Sequence, residues 1–410
     1  MASNVPPLNT PVRSLSRAAS ALFFGTCGYP ISMIQMSTFL IPLRARELGA
    51  PLEMVGIIVG AGSLLGMVLA VPSGALADRV GAKHAFIIGA LINGLAFAGF
   101  AATDSYWVML ALQIVRGIPH SMAWVASQTY ASAMSTPATR VHVMGRFSFM
   151  TNVTSLVSPL LVGGVAEIVG VQLAFLFLLA ISVLHLAAWL PLPDARMQGK
   201  TSGGGQGAGY GVALQLMRMR PAQMAILLTF IRLWLSSGYG AFFPVLLKEH
   251  GFGTALIGTV MSVNGIISAA TGLWSDRLAR RSSNEMATAI SLAIGALGLA
   301  LCPFFMFMPL VYAPSGLVGV GMGLSMPLVL AILSEEVPPN QRGVAMGMRT
   351  TANQGGALVA PPIMGFLFGV AGTAGGFLLG AIICWLMLGG AVYLHLTDPA
   401  RKARAAAAVR

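Results

Sequence analysis

Long apolar stretches alternate along this chain with short polar joints. A membrane-spanning helix takes about 20 consecutive, mostly apolar residues. Stretches of that length fall at 19–43, 53–77, 84–103, 106–134, 143–166, 171–192, 222–247, 254–275, 286–308, 310–334, 344–369 and 373–395. The pattern therefore predicts an all-α integral membrane protein with twelve spans. Between the ninth and tenth, "CPFFMFMPLVYAP" carries three prolines and no charge, and a turn is expected near Pro309.

The longest joint, "DARMQGKTSGGGQGAGYGVALQLMRMRPAQ", follows the sixth span and is Gly-rich and basic. Such composition makes a flexible linker. It divides the chain into a tail (1–18), a six-helix bundle (19–193), a linker (194–221), a second bundle (222–396) and a second tail (397–410). The "GKT" inside the linker is not a phosphate loop. Asp194 stands where that motif needs its first Gly, and no strand precedes it.

Composition agrees with a lipid solvent. Hydrophobic residues make up 56% of the 410-residue chain and charged residues 9%, against roughly 25% charged in a soluble domain. The formal charge of +12 would suggest nucleic acid in a soluble protein. Here no basic patch with interleaved aromatics exists, so nucleic acid is excluded as a partner. The charge reads instead as topogenic, with contact to anionic lipid. With both termini inside, nineteen Lys and Arg fall on the inner joints, three (Arg44, Arg46, Lys248) on the outer ones, and two (Arg116, Arg232) within spans. That bias predicts a multi-pass protein of the cytoplasmic membrane with a cytoplasmic N-terminal tail and a retained first span. Cys27, Cys302 and Cys384 lie singly in apolar runs. They read as packing residues, and no metal or cofactor is expected.

The two halves repeat. A constant offset of 202 pairs Arg140, Met144, Gly145, Leu156, Pro159 and Gly163 with Arg342, Met346, Gly347, Leu358, Pro361 and Gly365. An offset of 198 pairs Gly74, Asp78 and Arg79 of "SGALADRVGAK" with Gly272, Asp276 and Arg277 of "TGLWSDRLARR". Two parallel, pseudo-symmetric six-helix bundles with a binding site between them are a known plan of secondary transporters.

At this point the chain resembles the major facilitator superfamily (MFS) over essentially all of its spans. "GALADRVGAK" is similar to that family's signature between spans 2 and 3, through Gly74, Asp78, Arg79, Gly81 and Lys83, with Ala82 in place of one basic residue. "LQIVRG" in the fourth span resembles a second family motif, whose intramembrane Arg is here Arg116. "SLVSPLLVGG" matches the Gly-rich antiporter signature of the fifth span in part. The resemblance implies that spans 1, 4, 7 and 10 line a central cavity, that 2, 5, 8 and 11 form the moving interface, and that the protein works by alternating access. It also implies a conformational gate built from the signature residues and from Asp276 and Arg277.

The intramembrane polar residues carry the chemistry. Arg116 and Arg232 each lie about ten residues into a span, roughly 15 Å deep at 1.5 Å per residue. An ionisable residue at that depth is a site by default. No carboxylate falls in span 1, 4 or 7. A positive cavity follows, suited to a carboxylate or phosphate that Arg binds bidentately. His120, one turn after Arg116, is a candidate proton carrier. Tyr29, Gln35, Trp124, Gln128, Asn353 and Gln354 are candidate polar or aromatic contacts, each with helix-to-helix packing as its alternative.

Motifs of hydrolytic, metal-dependent or nucleotide-binding enzymes are missing. The combined expectation is a monomeric, proton-linked carrier of a small organic solute, anionic or amphipathic, with export preferred over import. Broad efflux of neutral or lipophilic drugs is the runner-up. A non-transporting sensor on a carrier fold is the reading from a different class.

Overall fold

The computed structural model describes residues 17–68, 80–135, 139–193, 220–336 and 342–397, and among them the regular structure is entirely helical. Among the described residues, eight helices are long and apolar enough to cross a membrane. Two of these are hairpins, Arg140–Trp189 and Arg342–Leu396, each folded back on itself at a glycine and so holding two spans. The first span is split into Arg17–Thr26 and Tyr29–Glu47, and the second begins as Leu52–Ala61 and Leu64–Val68. Spans 3 and 4 are Ala82–Ala102 and Tyr106–Ala133, and span 8 is Thr254–Gly272. Spans 9 and 10 are Asn284–Leu301 and Tyr312–Glu336. Twelve crossings result, as the hydrophobic pattern predicts.

Local chemistry explains the breaks. Gly28 and Pro30 interrupt span 1, because a proline in the first helical turn lacks the N–H that would continue the preceding helix. Span 7 runs Arg220–Ser237, then a π-helical turn over Gly238–Phe242, then Phe243–Glu249. The ninth span stops at Leu301 and not at 308, because the proline-rich stretch from Cys302 to Val311 forms turns. A cis peptide joins Met308 to Pro309 there. The hairpin glycines Gly170 and Gly372 have φ of 85° and 70°. Gly49 and Gly251, after spans 1 and 7, have φ of 80° and 82°. Both pairs keep the 202-residue offset. A residue with a Cβ is strained at such angles, so the repeat preserves glycine where the chain reverses.

Aromatic packing fills the interior of each half. In the first, Phe86 stacks on Trp189 at 3.7 Å, Trp189 packs edge-on against Phe23, and its indole N–H donates to Thr26. In the second, Phe242 stacks on Phe368 at 4.2 Å, and the Trp234 indole donates to the Gly380 carbonyl at 2.9 Å.

The halves meet at the end that carries Gly49 and Gly251, the end that the basic-residue bias of the sequence would place outside. Span 2 crosses span 11 through Gly56 and Gly365, and span 5 crosses span 8 through Gly163 and Gly258. A methyl group on Gly258 would stand 2.5 Å from the Pro159 carbonyl oxygen, and one on Gly163 2.7 Å from that of Thr254. Gly365 would meet the Leu52 carbonyl at 2.8 Å, and Gly56 abuts the Pro361 carbonyl. Small residues let backbones approach this closely in lipid, where apolar burial gives little reason for helices to associate.

Two polar contacts reinforce this end. Arg46 pairs with Glu249 at 3.0 Å between spans 1 and 7. Glu167, just past the fifth span, accepts from the Thr254 hydroxyl at 2.9 Å and the Ala255 N–H at 3.1 Å. Span 8 has only Gly253 at its N-cap and no side-chain cap of its own. A carboxylate from the opposite half therefore caps it, where free N–H groups and the helix dipole favour negative charge. These bonds hold the Glu167 carboxyl below its ordinary range.

Leucine at Gly56 or Gly258 will hold the outer end open. Overpacking costs about 1–3 kcal/mol, enough to shift a two-state balance about tenfold or more. A cysteine placed at Gly265, in the cavity below, should then react about tenfold faster with an impermeant thiol reagent added outside. An unchanged rate would contradict the closure described.

The Glu167 cap also makes the closed state acid-sensitive. The carboxyl titrates lower when capped, so its contribution is complete above the ordinary carboxyl range. It fades as pH falls through the depressed value. The same outside labelling should rise as the outer pH falls below about 4.5 in the wild type. Glu167→Gln should flatten that dependence.

Candidate functional site

Below the outer contacts lies a cavity of about 1040 Å³ between the halves. It is lined by spans 1, 5, 7, 8 and 10, and it reaches Leu273 and Pro327 toward the opposite end. Small-molecule sites are usually about 300–1,000 Å³, so its size suits an organic solute. Gln35 and Thr38 come from span 1, Asn152 and Ser155 from span 5, and Asn264 from span 8. Span 7 supplies Arg232, Ser236, Tyr239 and Gly240. Its π-helical turn puts Tyr239 and Gly240 on this wall. Such turns often mark functional positions. Phe39, Phe149, Leu156, Met261, Met322 and Met326 make the rest largely apolar.

Arg232 is the single charged residue lining this cavity among the described residues. Gln35 donates from its amide to the Ser155 hydroxyl at 2.7 Å, which fixes its orientation on the wall. Tyr239 donates to Ser315 at 2.8 Å and so ties span 7 to span 10.

Arg116 lies elsewhere. It lines a second cavity of about 290 Å³, between spans 1, 2, 4 and 11, with Gln113, Gly117, Asn353 and Gln354. Ile34 and Thr38 border both cavities, so the first span stands between the two arginines. The two arginines expected from the sequence to share one positive cavity thus line two separate cavities. Depth along a helix was readable, but the direction each helix face points was not.

Arg116 is 9% exposed, and its guanidinium is anchored inside the first half. Nε donates to Asn93 at 3.2 Å and Nη1 to Gln113 at 3.3 Å. Nη2 donates to the Met33 carbonyl at 3.1 Å and to the Ser37 hydroxyl. The charge also lies over the Phe97 ring, 5.2 Å from its centre. Asn93 in turn donates to Tyr29, and Tyr29 to Ser182.

Tyr29 therefore belongs to a buried network joining spans 1, 3, 4 and 6, with the His185 ring 4.9 Å away, and it does not face the large cavity. Trp124 is half-buried beside Phe147, at 5.9 Å, and Gln128 is exposed near the other end of span 4. Neither lines a described cavity. Among the described residues none from span 4 lines the large cavity; Gly117 packs that span onto Gly62 and Gly66 of span 2.

His120 sits in the fourth span, but its side chain lies outside the described residues, as do Gly74, Asp78 and Arg79. Gly81 starts span 3 at φ 88°, and Lys83 donates to the Leu190 carbonyl at 2.6 Å within the first half. Asp276 and Arg277 are exposed on the short helix Ser275–Ala279. Among the described residues no ion pair joins their side chains to the first half.

Sequence reasoning missed Asn152, Tyr239 and Asn264. One signal was available: the 202 offset carries Gln354 onto Asn152.

Comparison with known proteins agrees with this architecture. The family model for the Major Facilitator Superfamily matches residues 22–354 and again 286–409. The class E tetracycline resistance protein of Escherichia coli is 22% identical over 394 residues, 95% of this chain and 96% of that one. The gentisate transporter of Corynebacterium glutamicum is 27% identical over 334 residues, 75% of this chain and 72% of its own. The crystal structure of the nucleoside transporter NupG superposes with a TM-score of 0.79 at 15% identity, covering 93% of this chain and 99% of that one. Twelve helical crossings, two like halves and a family match across nearly the whole chain make one conclusion: this membrane protein belongs to the Major Facilitator Superfamily, whose members are transporters and not enzymes.

Proposed function

We propose that this protein is a secondary carrier for a small organic anion with an apolar body, moved by alternating access through the large cavity. The observation that carries the reading is that Arg232 is the one charged residue among the described residues that line this largely apolar wall. A carboxylate meets a guanidinium with charge-assisted, bidentate hydrogen bonds. Phe39, Leu156 and the methionines would hold an aromatic or aliphatic body. The likeness to a gentisate transporter supports an aromatic acid.

The basic-residue bias supports placing the loop that bears Asp276 in the cytoplasm. The large cavity then faces inward here, with the outer end closed. The chain acts as a monomer, since the cavity is formed within one chain. Proton linkage and export are parts of the same reading. His120 is the titrating candidate within the spans, and the likeness to a resistance protein supports export.

Efflux of neutral lipophilic compounds is the second reading. Met261, Met322 and Met326 favour it, because unbranched, polarizable side chains adapt to many shapes.

Reconstitution into proteoliposomes separates the two. Labelled 2,5-dihydroxybenzoate flux under a pH gradient should fall about 10–100-fold in Arg232→Ala, from the loss of a charged hydrogen-bond partner worth about 1.5–3 kcal/mol. Arg232→Lys should recover part of it. Acid flux that is equal in wild type and Arg232→Ala, beside robust flux of a neutral dye, would decide for the second reading.

A further inference from the structure

The smaller cavity holds a buried charge with no anion to answer it. The acceptors on Arg116 are an amide oxygen of Asn93, one of Gln113, a backbone carbonyl and a hydroxyl, all neutral. Among the described residues no carboxylate forms an ion pair with it. A guanidinium has five N–H groups, and these four bonds leave one on Nη1. A buried cation without a counter-ion is costly unless something else supplies the negative charge.

The cavity supplies donors to hold such a partner. Arginine only donates, so Gln113 must turn its oxygen to Arg116. Its amide nitrogen then points toward Gly62, on the cavity wall, where a Cβ would stand 2.6 Å from it. Across the gap, Asn353 and Gln354 of span 11 bring two more side-chain amides. Neither has a hydrogen-bond partner among the described residues. At about 290 Å³ the space lies at the bottom of the range for organic ligands. It suits an ion with a few waters, each about 30 Å³.

We propose that this cavity binds a small inorganic monovalent anion, such as chloride, between Arg116 and the amides of Gln113, Asn353 and Gln354. The site is separate from the Arg232 cavity, and the proposal does not depend on which solute that cavity takes. It has a consequence for movement. Arg116 and Gln113 belong to the first half, Asn353 and Gln354 to the second, and the site lies below the Gly56–Gly365 crossing. Opening the outer end would pull span 11 from span 2 and take away two of the donors. A bound anion therefore favours the state with the outer end closed.

The test uses the purified full-length protein at constant ionic strength, with gluconate replaced stepwise by chloride, nitrate or bromide. The melting temperature should climb by about 2 °C for each tenfold rise in the small anion once the site begins to fill. The shift should be kept in Arg232→Ala and lost in Asn353→Leu combined with Gln354→Leu, which leaves Arg116 and its network in place. Diffraction from bromide-grown crystals should show an anomalous peak within contact distance of Nη1 of Arg116. No anion-dependent shift in the wild type would overturn the proposal. So would a shift that survives the Asn353 and Gln354 changes, or one that vanishes in Arg232→Ala. A benzoate shift that depends on Arg232 alone reports the large cavity, so failure of either site is visible without the other.

Discussion

Everything in this molecule hangs from two close approaches of backbone to backbone. Span 2 lies on span 11 at Gly56 and Gly365, and span 5 on span 8 at Gly163 and Gly258. The same offset of 202 turns Gly56 into Gly258, Gly163 into Gly365, and the abutting Pro159 into Pro361. The closure is thus one contact made twice. In lipid, two apolar helices gain little from leaving the acyl chains, so packing density decides whether they stay together. A side chain at any of the four glycines would push a carbonyl away and loosen both the crossing and the cavity beneath it. On one side of each crossing the carbonyl that the glycine meets is a proline's, Pro361 for Gly56 and Pro159 for Gly258.

Polar groups at the same end make the contact switchable. Glu167 finishes a helix that begins in the other half, so the N–H groups at the start of span 8 have that partner only when the halves touch. Arg46 and Glu249 add an ion pair whose members are partly exposed. Pairs of that kind contribute little, about 0–1 kcal/mol. The closed state is therefore held mainly by dense packing and trimmed by terms small enough to reverse, as a carrier that must reopen requires.

The repeat that was legible as letters also organises the cavities. Gly62 and Ser63 in the small one become Asn264 and Gly265 in the large one, and Gln354 and Ala357 become Asn152 and Ser155. Two pseudo-equivalent spaces flank the first and seventh spans, but their arginines do not correspond. One comes from span 4 and is clasped within its own half. The other comes from span 7 and looks onto the large space. The spans and the repeat could be read because they are periodic and extend over many residues. The site could not, because it depends on azimuth. Arg116 and Arg232 enter their helices to a similar depth, but Gly117 beside the first packs span 4 onto span 2, and Arg116 bonds to spans 1 and 3. Tyr29 misled for the same reason. It follows the break at Gly28, which rotates the rest of span 1 so that the phenol points at Ser182 and not between the halves.

The asymmetry explains how one fold can keep two arginines so deep in a membrane. A desolvated guanidinium is tolerated when its donors are filled and some negative charge is near. Arg116 has filled most of its donors with oxygens of spans 1, 3 and 4, so it is a fixed part of the first half and moves with it. Arg232 stands on a wall between the two halves, beside hydroxyls and amides that belong to both. On the proposed reading, a solute held there would touch the first half through Gln35 and Asn152 and the second through Arg232 and Asn264. Its binding energy can then act on the angle between the halves, which a ligand held by one half alone could not bias.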